Sequence, residues 1–202
     1  MMRVGITQRR DSVSGRQEVR DALDVQLAQL LWSLGMIPIP LCSGIEQSSE
    51  YLQALNLDGY ILSGGNDIGQ IPARDNLEKS VLKLSIEQGV PVLGVCRGMQ
   101  YINHYLGGSL IPVDQHVATH HKLYSECNLQ LDGIQVNSYH NYGVVEATLG
   151  QGLKVIAKSK DGVVEVVKHN DYPWMGIMWH PERETDFSTN DMLILKAHFY
   201  GS

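Results

Sequence analysis

A cysteine framed by two glycines, set between an apolar run and a helix-forming run, constrains this chain more than any other feature: Val92-Leu93-Gly94-Val95-Cys96-Arg97-Gly98-Met99-Gln100. Residues 90–95 are apolar in the manner of a short buried strand, and residues 97–105 have the composition of a helix. A strand that feeds a helix through one residue must bend sharply. Small residues are then needed two positions either side of the apex, where the two segments approach closely. Gly94 and Gly98 meet that need. The bend pushes the sulfur of Cys96 out of the sheet and sets it at a helix N-terminus, where unpaired amides and the positive end of the helix dipole favour thiolate over thiol.

The rest of the chain supplies a sheet for that elbow. Apolar runs at residues 4–7 and 37–41 flank a helix predicted over residues 21–34, with Leu23, Leu27, Leu30, Leu31 and Leu34 on one stripe. A further helix is predicted to begin at Asp75, with Asp75-x-x-Glu78 as a capping box, and to end at Gly89. From Gln130 the pattern shifts to short strands, including residues 163–167, with a last helix over about 190–199. Strands separated by helices imply an α/β fold with a mostly parallel central sheet and helices on both faces. No repeat, linker or low-complexity tract interrupts it, and 202 residues with 43% apolar content suffice for one sizeable core. A single domain over residues 1–202 is expected.

A base for the thiol stands near the C-terminus, in Trp179-His180-Pro181-Glu182. Residues 174–179 are apolar and strand-like, so His180 is expected at a strand end, able to take the proton of Cys96. In extended backbone residues two apart face the same way, which would let Glu182 hold the imidazole N–H and fix its tautomer. Cys96, His180 and Glu182 thus read as a nucleophile, base and orienting carboxylate. Either piece alone fits a buried cysteine or an ordinary turn; the pairing carries the inference. A third apolar run, residues 59–62, ends in Ser63-Gly64-Gly65-Asn66-Asp67. The backbone N–H of Gly65, with that of Arg97, would form an oxyanion hole.

In these segments the chain resembles the class I glutamine amidotransferase-like cysteine hydrolases, which have a flavodoxin-like α/β sandwich. The resemblance rests on residues 63–67, Arg74-Asp75 with Glu78, residues 94–100 with Asn103 and Gly107-Gly108, Asn137-Ser138-Tyr139-His140-Asn141, and His180-Pro181-Glu182. Arg97 after the cysteine and the Asn-Ser-x-His segment are similar to the stand-alone γ-glutamyl hydrolase branch. The resemblance implies that Cys96 attacks a γ-glutamyl amide to give a thioester, which water opens to release glutamate. It also implies that Gln100, Ser138, Tyr139, His140 and Asn141 hold the glutamyl group, and that no cofactor is needed.

The leaving group is less well specified. After the Gly-Gly-x-Asp element the chain reads Ile68-Gly69-Gln70-Ile71-Pro72, unlike the γ-glutamyl-aminobutyrate hydrolases. Its compact length, its opening and residues 176–184 are closer to the γ-glutamyl-CDP-amidate hydrolases, which serve phosphoramidate decoration of surface polysaccharide. Arg9, Arg10 and Arg74 are then candidates to meet a nucleotide phosphate. A glutaminase subunit that hands ammonia to a partner synthetase would use the same triad, and the chain is too short to hold both; a homodimer stays open. A deglycase-like relative would not place a glutamate two residues after the histidine, and a non-catalytic binding domain would not keep all three triad residues.

The formal charge of −6 argues against non-specific nucleic-acid or anionic-membrane partners. No targeting segment or long apolar run is visible, so a cytoplasmic location is expected. Cys42, Cys96 and Cys127 look nothing like a disulfide framework, and a packing or incidental role is expected for Cys42 and Cys127. His116, His120 and His121 fall close together, but no carboxylate or cysteine beside them completes a metal-ligand set. They read as a solvated or substrate-facing loop. Arg183-Glu184 reads as a surface pair.

Overall fold

In the computed structural model, which describes residues 1–125, 130–184 and 186–201, the apolar runs become strands of one seven-stranded sheet. The strands in chain order are β1 (Met2–Ile6), β2 (Arg9–Ser12), β3 (Val19–Ala22), β4 (Met36–Pro40), β5 (Gly59–Leu62), β6 (Val92–Val95), β7 (Ile111–Pro112), β8 (Val117–Lys122), β9 (Gln135–Tyr139), β10 (Tyr142–Gly143), β11 (Leu153–Lys158), β12 (Val164–His169) and β13 (Trp174–Ile177). The helices are α1 (Val25–Ser33), α2 (Ser48–Leu55), α3 (Pro72–Gln88), α4 (Arg97–Tyr105) and α5 (Thr189–Tyr200). The sheet runs β11-β12-β13-β6-β5-β1-β4 and is mostly parallel, as the sequence pattern predicts. β1 pairs in parallel with β4 and β5, whereas β11, β12 and β13 pair antiparallel. Three small ribbons pair β2 with β3, β8 with β9, and β7 with β10.

The chain divides into two compact units, Met1–Val92 with Pro181–Ser202, and Leu93–His180. In the first, buried Val4, Ile6, Ile61 and Leu62 on the parallel strands join Leu27, Leu30 and Leu31 of α1 and Leu77, Val81 and Leu82 of α3 as core residues. α1 starts later than the leucine stripe predicts. Residues 19–22 pair instead with residues 9–12, and the helix opens after Asp24, whose carboxylate accepts the N–H of Gln26 at 2.9 Å. α3 starts earlier than predicted, at Pro72, whose fixed φ and missing N–H suit a first helical position. The expected capping box is absent: Asp75 accepts from the backbone of Gly69 at 2.8 Å, and Glu78 pairs with Arg74. Gly89, in left-handed conformation at φ 68°, ends the helix where expected. α5 opens at Ser188, whose hydroxyl accepts from the N–H of Asp191.

In the second unit β6 feeds α4 through Cys96 alone, and α4 covers the span the sequence predicts. Met99 and Ile102 on α4, Val164, Val166 and Val167 on β12, and Trp174 and Ile177 on β13 are all buried. Trp179, just past β13, is buried as well.

Candidate active site

Cys96 has φ 52° and ψ −107°, a conformation that L-residues avoid at a cost of about 1–3 kcal/mol. The local sequence makes the bend sterically feasible. A Cβ on Gly94 would stand 2.6 Å from the backbone carbon of Gly98 and the nitrogen of Met99, so strand and helix meet at distances only glycine allows. The N–H of Cys96 donates to the carbonyl of Ile177 at 2.8 Å, and its own carbonyl accepts from Gln100 N–H at 3.1 Å. The first bond sets the C-terminal end of β13 beside the elbow, and His180 follows three residues later. Cys96 and His180 are both buried, and Arg97, in the first turn of α4, has its guanidinium 4.8 Å from the ring centre of Tyr101.

Asn137 of β9 grips the main chain of His180 from both sides. Its Oδ1 accepts the His180 N–H at 3.0 Å and its Nδ2 donates to the His180 carbonyl at 2.8 Å. The Tyr139 ring lies edge-on to the imidazole, with centres 6.1 Å apart. Residues 181–183 form a 3-10 turn, not the extended backbone expected there, because proline after His180 fixes φ in a turn-compatible range. Glu182 is buried in that turn, and the face-sharing argument of extended chain does not apply to it.

The predicted glutamyl-binding segment alternates as a strand should. Ser138 and His140 are buried, Tyr139 is 40% exposed and Asn141 is exposed. The Ser138 hydroxyl donates to the carbonyl of His116 at 2.7 Å, and Gln100 Nε2 donates to the carbonyl of Tyr142 at 2.7 Å. In the other unit Gly65 has φ 110°, and a Cβ there would meet the Cβ of Arg9 at 2.6 Å. Arg74 is not placed to meet a phosphate: it is fully buried, with Nε on Glu78 at 3.0 Å and Nη2 on the carbonyls of Ser63 and Gly64 at 2.6 and 3.0 Å. Glu78 also accepts from the hydroxyl of Thr7 at 2.8 Å. Arg10 is engaged by Ser43 and Asp21, and Arg9 is exposed beside Asp11.

Comparison with known proteins decides the lineage of this arrangement. The family model described as peptidase C26 matches residues 4–182. The chain belongs to the peptidase C26 family. It is 33% identical to the γ-glutamyl-CDP-amidate hydrolase of Campylobacter jejuni over 98% of both chains. It is 26% identical to the γ-glutamyl-γ-aminobutyrate hydrolase of Escherichia coli K12, over 89% of this chain and 85% of that one. A solved structure described as a GMP synthase protein from Thermoplasma acidophilum superposes with a TM-score of 0.72 at 20% identity, covering 99% of this chain and 93% of that one, a likeness of fold. Membership of the C26 family makes the chain a hydrolase. Among the described residues no helix is long and apolar enough to cross a membrane.

In this C26 chain the histidine-rich segment is not the loop predicted. His120 and His121 lie in β8, and His116, immediately before it, is buried. The pairing of β8 with β9 brings the segment to residues remote in sequence. His116 and His140 stack at 4.7 Å between ring centres, and Glu165 of β12, wholly buried, lies against both. The carboxylate that seemed missing is therefore supplied from β12. Its sequence signal is a lone acid within Val163-Val164-Glu165-Val166-Val167. Burial, reinforced by the neighbouring His116, pushes the His140 pKa down to about 4. Burial also works to lower that of His121, but Glu165 and Asp161 outweigh it and the net shift is upward. Cys42 is exposed, so it has no packing role, and Cys127 lies outside the described residues.

Proposed function

We propose that this chain hydrolyses a γ-glutamyl amide through a thioester on Cys96. The observation that carries the reading is the strained elbow at the mouth of α4, with the end of β13 hydrogen-bonded to it three residues before His180. The Cys96 thiolate attacks the γ-carbonyl carbon, and its proton resides on His180. Collapse of the tetrahedral adduct breaks the C–N bond as His180 protonates the leaving nitrogen. His180 then takes a proton from water, which attacks the thioester, releases glutamate and restores the thiol. Glu182 orients the imidazole, and the N–H groups of Gly65 and Arg97 receive the developing oxyanion.

For the glutamyl group we assign contact to Tyr139, Asn141 and Gln100, the first two being the exposed members of their segment. Ser138 and His140, whose polar atoms are engaged inside the unit, support that surface. We read the preferred substrate as γ-glutamyl-CDP-amidate, with a role in phosphoramidate modification of polysaccharide. The full-length similarity to a hydrolase of that name supports this reading, and one family match from residue 4 to residue 182 supports treating the chain as one hydrolase domain. The test measures glutamate release from γ-glutamyl-CDP-amidate, γ-glutamyl-aminobutyrate and glutamine side by side, with Cys96→Ala as control. Cleavage of the nucleotide amide that depends on Cys96 is expected. Glutamine as the best substrate would favour an ammonia-delivering component of a larger enzyme, and turnover by Cys96→Ala would remove the nucleophile.

A further inference from the structure

The cluster of His116, His140 and Glu165 has no task in the hydrolytic scheme, and hydrogen bonding alone does not account for how it is arranged. His116 directs Nε2 at Asp161 Oδ2 and His140 directs Nδ1 at the carbonyl of Tyr142, each at 3.0 Å. A carboxylate and a carbonyl only accept, so those two ring nitrogens carry the hydrogens. The opposite nitrogens, His116 Nδ1 and His140 Nε2, consequently turn lone pairs toward one another across 3.3 Å. The Ser138 hydroxyl is 3.5 Å from His116 Nδ1 but gives its hydrogen to the His116 carbonyl, so it does not relieve the pair. At the third corner Glu165 Oε1 stands 3.7 Å from His116 Nδ1 and 3.8 Å from His140 Nε2. Glu165 is fully buried, and neither of its oxygens accepts a directed hydrogen bond. Two lone pairs and an anionic oxygen thus converge away from water, a costly arrangement unless a cation stands among them.

The dimensions suit a metal ion. A point equidistant from three atoms separated by 3.3, 3.7 and 3.8 Å lies ~2.1 Å from each, which is a zinc–imidazole bond length. Asp161 behind His116 and the Tyr142 carbonyl behind His140 are the outer partners that fix ligating imidazoles. His121 Nε2, 3.1 Å from Glu165 Oε1, is the next donor.

We propose that His116, His140 and Glu165 bind a divalent transition-metal ion of the zinc type in a structural site, with His121 at the fourth position. Imidazole donors favour such an ion over magnesium or calcium. The three ligands are at most 3% exposed, which suits a closed site that braces the fold over one open to substrate. They come from just before β8, just after β9 and from β12, so the ion ties the β8–β9 hairpin to the sheet. β9 also carries Asn137, which holds His180, and the Tyr142 carbonyl also accepts from Gln100. The brace therefore supports two residues assigned to the active site.

The test uses the full chain carrying Cys96→Ala, so that a thiolate takes no part, stripped with a chelator and titrated with Co(II) and Zn(II). One equivalent of Co(II) is expected, with visible d–d bands and no sulfur charge transfer, displaced by one equivalent of zinc and accompanied by a higher Tm. Adding Glu165→Gln or His116→Ala removes that equivalent. Asp161→Asn weakens binding about 10- to 100-fold, and His120→Ala, at an exposed position of the same strand, leaves it unchanged. The Asp161 side chain is 56% exposed, so its variant reports even where a buried substitution does not fold. Uptake by the Cys96→Ala parent that does not exceed a second metal-blind control, the same chain with His116→Ala, would overturn the site, as would Asp161→Asn binding as tightly as the parent. Either outcome leaves the cluster a buried ion pair between His121 and Glu165.

Discussion

The backbone of Cys96 is strained by its own side chain, and Gly94 bears the steric consequence one turn away. The contact a Gly94 Cβ would make is with backbone, at 2.6 Å, which no rotamer change relieves. Gly94→Ala is therefore expected to cost at least ~2 kcal/mol of stability and most of the activity. Gly107, with φ 83° and nothing within 4 Å of the place a Cβ would take, is the contrast: its alanine variant should cost only about 1 kcal/mol, from the backbone conformation alone. Urea midpoints of the two variants, measured together, check both. Glu182→Gln keeps size and burial and removes the charge that orients the base. It should leave the urea midpoint near that of the parent while kcat falls at least ~100-fold; full turnover would take Glu182 out of the triad. The glycine pair around Cys96 was legible in the sequence because a sharp bend needs small residues at fixed offsets. Asn137 was visible only as part of a resemblance, since its grip on His180 spans 43 residues of chain.

At the level of elements, the clearest misreading concerns α3. Asp75 and Glu78 have capping-box spacing, yet the helix begins at Pro72 because Glu78 is drawn inward to a buried arginine one turn earlier. Arg74 in turn fastens the strand-end segment at Ser63 and Gly64 to the helix. Such a pair is better evidence of specificity than of stability, because desolvating two charges offsets much of their attraction. Arg74→Leu should thus destabilise by roughly 3–5 kcal/mol, since it leaves the Glu78 charge buried without its guanidinium. Arg74→Leu with Glu78→Leu should recover a large part of that loss. A double-mutant cycle in urea checks the expectation, and a double variant no better than the single would deny the coupling. Strand positions were read from the sequence within a few residues, because buried parallel strands are continuous apolar runs. The β2–β3 ribbon and the β8–β9 hairpin were not, since their exposed polar strands lack that signature and their pairing depends on tertiary contacts.

Over the whole molecule, the global stability can be followed through one tyrosine in the middle of the sheet. Tyr60 on β5 is fully buried, and its hydroxyl has no hydrogen-bond partner among the described residues. Burial alone pushes its pKa from 10.0 up to about 12, because the phenolate would have to form away from water. An unfolded chain releases that proton near pH 10, so between pH 10 and 12 the folded state holds a proton that the unfolded state has lost. The stability is fully present below pH 10 and is lost as the pH rises toward 12, by roughly 2–3 kcal/mol if Tyr60 acted alone. Tyr60→Phe removes this dependence. It also removes a buried hydroxyl without a partner, so at neutral pH the variant should be as stable as the parent or slightly more so. Urea midpoints from pH 8 to pH 11.5 should fall more steeply for the parent than for Tyr60→Phe, since every other titrating tyrosine and lysine is common to both. Parallel curves would mean that water reaches Tyr60 in the folded chain, and with it the interior of the central sheet.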